Sequence, residues 1–268
     1  MYQLIIQILQ DCEGKQDANR IGSVLKTLQA LRWRITKANT GAERIEVVRQ
    51  YIDAGVLDVF YKFEQKILSE NTHFKIVEYH ARLYNTVASV ALGRSFLTQN
   101  NKISQFLANI LKNYVGVILR DGQLDILRDN LLGTLQKLSL KRRIQSSLIS
   151  GGVVEYLLDT LGADVVDEKS NSTKKQLFVL TDYALEYCTA LLMNLCLRSL
   201  GRMKAADHGA GKLLGIMTEL LRHDDIEVRP YTNGILYTML QDKRVWDEAQ
   251  KINLKDMIND FSDNIQKI

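Results

Sequence analysis

The residues with the best claim to chemistry are Gly209-Ala210-Gly211-Lys212. A phosphate-binding loop needs GxxxxGK followed by Ser or Thr, whose hydroxyl is a magnesium ligand. With Gly211-Lys212 as the GK pair, Ala206 stands where the first glycine belongs, and Leu213 follows the lysine. The stretch reads as a helix stop. His73 and His80 are seven residues apart with Glu78 between them. Zinc-binding helices pair histidines at i, i+4 and add further ligands, so no metal is expected. Cys188 and Cys196 fall on an apolar helix, where a free thiol packs as a small hydrophobe. No Ser-His-Asp or Cys-His arrangement has local support, and Asp224-Asp225 reads as a helix cap. These residues point to no catalytic site, no cofactor and no small-molecule substrate.

Composition narrows the partner instead. The 268 residues carry 35 basic and 31 acidic side chains, a net charge of +4 that permits an acidic partner on a mixed, solvated surface. Aromatic residues reach 7% without regular interleaving among basic ones, so base stacking and nucleic-acid binding are not suggested. No run of about 18 apolar residues is present, and no membrane insertion is expected. The start, Met-Tyr-Gln-Leu-Ile-Ile, lacks the basic region of a signal peptide. Cys12, Cys188 and Cys196 form an odd set and read as reduced thiols of the cytosol. The only proline, Pro230, suits a chain of long helices and is predicted to bend one near Ile226.

Three stretches share one register: Gly133–Leu140, Ala190–Leu197 and Gly234–Gln241. Each begins with a small residue, is apolar at the third and sixth positions, and is polar at the fifth. A helical phrase recurring at such intervals marks a stacked helical repeat, in which neighbours bury faces that no repeat can bury alone. Apolar periodicity and glycine or asparagine stops divide the chain into a partial unit at 1–40, units at 41–93, 94–140, 141–200 and 201–242, and a partial unit at 243–268. Both ends thus read as cut from a longer array. Within the units, Val56–Leu68 and Ile103–Leu119 are predicted as second helices, and Phe74–Leu92, Leu124–Leu140 and Leu180–Leu197 as third helices. Phe96-Leu97 reads as a very short first helix before Asn100-Asn101. Residues 163–175 are polar and aperiodic, and are predicted as an inserted, loosely packed loop.

Short, medium and long helices with a glycine after the first follow the plan of an armadillo repeat. The chain resembles an all-α armadillo/HEAT-like right-handed superhelical solenoid of about five helical triplets. TLQKLSLKRRIQSSLISGGVVEYLLDTL (134–161), DYALEYCTALLMNLCLRS (182–199) and VRPYTNGILYTML (228–240) carry a closer resemblance, to the armadillo repeat-containing protein 9 family. That resemblance implies a ciliary and basal-body role in the cytoplasm and cytoskeleton. The family has a LisH dimerisation motif, which this sequence does not show.

In armadillo arrays the third helices line a concave groove. The fifth positions, Lys137, Asn194 and Thr238, then face it, with Thr134, Tyr187, Arg198, Tyr231 and Asp242 one or two turns away. In armadillo relatives an asparagine at this place holds the backbone of an extended peptide. Asn194 matches that pattern or is a buried amide satisfied by backbone, while Lys137 and Thr238 depart from it. Lys137 and Arg198 give the groove positive charge suited to an acidic or extended segment. The leading reading is a non-catalytic protein–protein interaction scaffold in cilium or basal-body assembly or ciliary stability. The alternative is a tubulin- or microtubule-binding array that uses one edge of turns, through Lys141, Arg142, Arg143, Arg202 and Lys204.

Overall fold

Every left-handed backbone conformation among the described residues falls just after a short helix: Gly55, Gly152, Gly209 and Asn253. The computed structural model describes residues 2–10, 18–58, 74–99, 101–118, 125–167, 172–175 and 180–265. In chain order the elements are α1 (Tyr2–Gln10), α2 (Ala18–Thr36), α3 (Gly41–Asp53), α4 (Phe74–Ser89), α5 (Ala91–Leu97), α6 (Lys102–Ile118), α7 (Asp125–Leu138), α8 (Arg142–Ser150) and α9 (Val153–Gly162). Then come β1 (Asp164–Asp167), β2 (Ser172–Lys175), α10 (Asp182–Cys196), α11 (Ser199–Arg222), α12 (Val228–Met239), α13 (Lys243–Lys251) and α14 (Leu254–Ile265).

The stop after α3 shows how the sequence makes these corners. Gly55 takes φ 69°. Its N–H donates to Ile52 O and the next N–H, of Val56, reaches back to Tyr51 O. Two otherwise orphaned carbonyls are thereby satisfied, in a conformation that costs a residue without Cβ little. Asn253 does the same work after α13 at φ 52°. Gly209, at φ 141° and ψ 106°, is non-helical and breaks α11 into two helices, so a helix stops within 208–211 as expected.

The chain divides into two compact units, Met1–Ile144 and Gln145–Ile268. In the first, α2, α4 and α7 lie side by side, α3 stacks on α5, and α6 covers α7. Val24, Leu28, Leu31 and Ile35 of α2, Val77, Tyr84 and Val87 of α4, and Leu131, Leu135 and Leu138 of α7 are buried together. In the second unit α10 packs on α12, α9 on α11, and α11 on α13. Leu185, Cys188, Leu192 and Leu195 of α10 are buried, as are Leu213, Met217 and Leu220 of α11. Like helices stack on like in each unit, which is the armadillo arrangement. The shared register explains it. The apolar third residues Leu135, Leu192 and Leu236 are all buried, as are the sixth residues Leu138, Leu195 and Met239. The small first residue allows close approach: a Cβ on Gly234 of α12 would stand 2.7 Å from Met193 Sδ of α10.

Four expectations need correction. The helix predicted to reach Leu92 ends at Ser89, and Ala91–Leu97 is a full first helix that contains Gly93. The insertion pairs into an antiparallel hairpin, Asp164 opposite Lys175 and Asp167 opposite Ser172. Pro230 lies in the first turn of α12, which begins at Val228. There its missing N–H is one the helix would leave unbonded anyway, and it bends nothing at Ile226. Asp225 accepts from Glu227 N at 2.9 Å, one turn before the helix and not as its cap. Most of the helix predicted over Val56–Leu68, and Asn100, lie outside the described residues. No helix among them is long and apolar enough to cross a membrane.

Candidate functional site

In the second unit the candidate surface is built by α10 and α12. Thr181 starts α10 by accepting from Ala184 N at 3.0 Å, which sets the phase of the helix. That phase turns Tyr183, Glu186 and Tyr187 outward. The rings of Tyr183 and Tyr187 meet at 4.3 Å between centroids with 31° between planes. Burial raises the Tyr187 phenol above its ordinary range, and Tyr183, Glu186 and Tyr231 add to the effect. Tyr231 on α12 is raised by burial, by Glu186 and Glu227, and by its hydrogen bond to Glu186. Tyr187 and Tyr231, separated by 44 residues in sequence, thus sit on one aromatic and acidic surface. Tyr237, six residues further along α12, is 76% exposed.

Three of the other predicted groove positions, Asn194, Thr238 and Thr134, turn inward. Asn194 is only 6% exposed and behaves as a buried amide. Thr238 is buried, and its hydroxyl donates to Gly234 O at 3.1 Å. Thr134 in the first unit is fully buried and donates to Asn130 O at 2.6 Å. The reason is common to all three. A short polar side chain in a third helix can satisfy itself on the carbonyl one turn back, or inside, and so tolerates the packed flank between neighbouring helices. Arg198 occupies the N-cap of α11 with extended backbone, at the corner and not on α10 itself. Asp242 likewise caps α13, accepting from Arg244 N at 3.0 Å.

In the first unit Lys137 of α7 reaches across to α4, donating to Asn85 Oδ1 at 2.6 Å and to its own Gly133 O at 3.2 Å. Asn85 Nδ2 in turn donates to Asn130 Oδ1 at 3.1 Å. One turn or more toward the start of α4, Glu78 is fully buried between Lys75, at 3.1 Å, and Arg82. Arg82 also lies 5.2 Å above the Tyr79 ring. Arg32, Tyr79, Arg82 and Asn85 were not singled out in the sequence. Their helices were legible, but single-chain periodicity does not tell which flank meets a neighbour.

The edge residues are differently placed. Lys141, Arg142 and Arg143 are exposed, and Arg143 Nη1 donates to Gln99 O at 3.2 Å. In the second unit Lys204 pairs with Glu155 at 3.3 Å and Arg202 donates to Leu197 O. Leu197, Leu200 and Met203 are exposed beside them, so this edge is apolar as well as basic.

The residues considered for chemistry have other work. Lys212 and His208 flank the Gly209 kink and both bind Asp159 of α9, at 2.5 and 2.7 Å. Burial acts to raise the Asp159 carboxyl, but the hydrogen bonds and charge of Lys212 and His208 prevail and hold it below the ordinary range. His80 is buried, and burial pushes its imidazole down to about 3, so it is neutral. Burial pushes the Cys196 thiol up to about 12, with Arg202 acting weakly against it. A thiol so placed is a poor nucleophile.

Residues 148–267 match the family described as LisH domain-containing protein ARMC9, ARM repeats. The chain is 38% identical over 236 residues to the human LisH domain-containing protein ARMC9, covering 87% of this chain and 26% of that protein. The rat protein of that name is 38% identical over 237 residues, with 87% and 30% covered. The zebrafish (Danio rerio) protein is 35% identical over 238 residues, with 88% and 26% covered. The chain therefore spans about a quarter to a third of the length of these curated relatives. Among solved structures, a designed armadillo repeat protein in complex with the peptide (KR)4 is similar, with a TM-score of 0.62, 14% identity and coverage of 94% of this chain and 90% of that one. A second computationally designed armadillo repeat protein gives 0.65, 14%, 93% and 88%.

Proposed function

Since residues 148–267 belong to the armadillo-repeat region of the LisH domain-containing protein ARMC9 family, we infer that this chain is a non-catalytic scaffold that binds other proteins through its stacked third helices. One observation carries the reading. In the second unit α10 and α12 lie side by side and present Tyr183, Tyr187, Tyr231 and Tyr237, with Glu186 beside them. Tyrosines bring large contact area and few rotatable bonds, which suits binding surfaces. The designed armadillo protein of similar fold holds a peptide, which supports an extended segment as the thing bound. The reading extends to cilium or basal-body assembly, on the strength of the family resemblance.

The test is quantitative affinity capture from ciliated cells. Replacing Tyr183 and Tyr187 by Ala should deplete the captured set while the circular dichroism spectrum is kept. Unchanged capture would end the third-helix reading. A second reading, binding to the acidic surface of tubulin, is favoured by the exposure of Lys141, Arg142 and Arg143. It predicts that reversing these three charges abolishes co-sedimentation with microtubules.

A further inference from the structure

In the first unit, helices α2 and α4 carry Arg32 and Arg82 but only one carboxylate, Glu78. Arg32 of α2 and Arg82 of α4 stand on neighbouring helices of the stacked layer. Arg82 and Lys75 share one carboxylate, the buried Glu78. Arg32 has no ion-pair partner among the described residues. Nε of Arg32 and Nε of Arg82 are each buried without a hydrogen-bond partner there. The two guanidiniums also interact: burial first, and then the charge of Arg82, make Arg32 easier to deprotonate than an ordinary arginine. Tyr79 stands by both, under Arg82 at 5.2 Å and close enough to Arg32 to act on its charge. Like charges drawn partly out of water onto neighbouring helices repel, and no carboxylate among the described residues pairs with Arg32. Stem packing accounts for Arg82, which also neutralises Glu78, but not for an unpaired head group on Arg32.

We propose that Arg32 and Arg82, with Tyr79 beside them, form a receptor for carboxylate side chains of an acidic segment in a partner protein. This rests on the scaffold reading and names the chemistry of one partner segment. A guanidinium presents a planar fork that matches a carboxylate, and a carboxylate placed against the two would neutralise the repulsion. Lys75, 46% exposed at its side chain, extends the positive surface along α4 toward further acids.

The experiment uses the full chain, labelled hexaglutamate and hexalysine peptides, and inorganic phosphate as competitor. Hexaglutamate should bind and hexalysine should not. Arg32→Gln should weaken hexaglutamate by about tenfold or more, the factor for one charge-assisted contact, while melting no lower than the parent because a repulsion is relieved. Arg82→Lys keeps the ion pair to Glu78 and removes the fork, and should also weaken the peptide. Undiminished binding by Arg32→Gln overturns the proposal. So does a fall in its melting temperature, which would make Arg32 a structural residue. Phosphate displacing the peptide at equal concentration would assign the site to free anions and overturn it too. If the Tyr183 and Tyr187 variants lose their captured partners while Arg32→Gln binds hexaglutamate normally, this proposal fails and the scaffold reading stands.

Discussion

Gly201→Ala should lower stability, although glycine-to-alanine changes within helices ordinarily raise it. Gly201 is the third residue of α11, just past the extended cap at Arg198, where the chain turns sharply out of α10. A Cβ there would overlap Leu195 O, stand 2.7 Å from the Leu195 carbonyl carbon and come 3.3 Å from Ile149 Cδ1. Overpacking by one methyl costs about 1–3 kcal/mol, and an obstacle made of backbone cannot rotate away, so the upper end, about 3, applies. Alanine returns about 1 kcal/mol of helix preference. The net loss is about 2 kcal/mol, or a melting temperature lower by about 4–8 °C for a protein of this size. Gly215→Ala is the internal control, because a Cβ at Gly215 meets nothing within 4 Å. It should gain about 0.5–1 kcal/mol. Gly93 repeats the geometry of Gly201, its Cβ falling on the carbonyl of Val87 six residues back, and Gly93→Ala should behave alike. Calorimetric melting with urea midpoints reads all three. If Gly201→Ala melts at or above the parent, the tight corner between third and first helices is wrong.

Leu192→Ala should cost about 2–5 kcal/mol, since Leu192 is fully buried in α10, and a melting curve like the parent's would show the register misassigned. Acid should destabilise the first unit through His80. Its folded-state value of about 3 lies below the ordinary 6.5, so the unfolded chain binds the proton first. Stability is then full above about pH 6.5 and falls by about 1.4 kcal/mol per unit below it until about pH 3. Urea midpoints at pH 7, 6 and 5 read this slope, and His80→Leu should flatten it; equal slopes would show that His80 is not buried neutral. Asp159→Asn should reduce acid sensitivity in the second unit, because the depressed Asp159 carboxyl stabilises the fold only while it is ionised. Replacing residues 164–175 by a short Gly-Ser linker should leave stability within about 1 kcal/mol, because the strands pair with each other.

Helices and corners were legible in this sequence because their signals are local. Apolar spacing placed α6, α7 and α10 to within two residues at each end. Gly93 misled because it looked like a stop. The glycine is there so that α5 can pass close over the Val87 carbonyl, a reason visible only in three dimensions. Pro230 misled because its cost depends on helix position, and the start of α12 was placed too early. The hairpin was missed because Asp164–Asp167 and Ser172–Lys175 have no apolar alternation. The candidate site was legible only in part. The phrase register pointed to α7, α10 and α12 and brought out Tyr187 and Tyr231, which share one surface of the second unit. It could not separate the flank that packs, where Thr134, Asn194 and Thr238 lie, from the flank that carries Tyr183, Arg32 and Arg82.

The central claim is that partners dock on the third helices. Site-specific photo-cross-linking in ciliated cells tests it most directly, with the cross-linker placed at Tyr237 on α12 or at Arg142 and Trp246 on α8 and α13. Tyr237, 76% exposed, lies on α12, one of the two helices of the proposed surface, whereas Trp246, 50% exposed, belongs to a first helix. The account predicts discrete cross-linked partners from Tyr237 and background from Arg142 and Trp246. Partners captured from Arg142 or Trp246 and none from Tyr237 would contradict it.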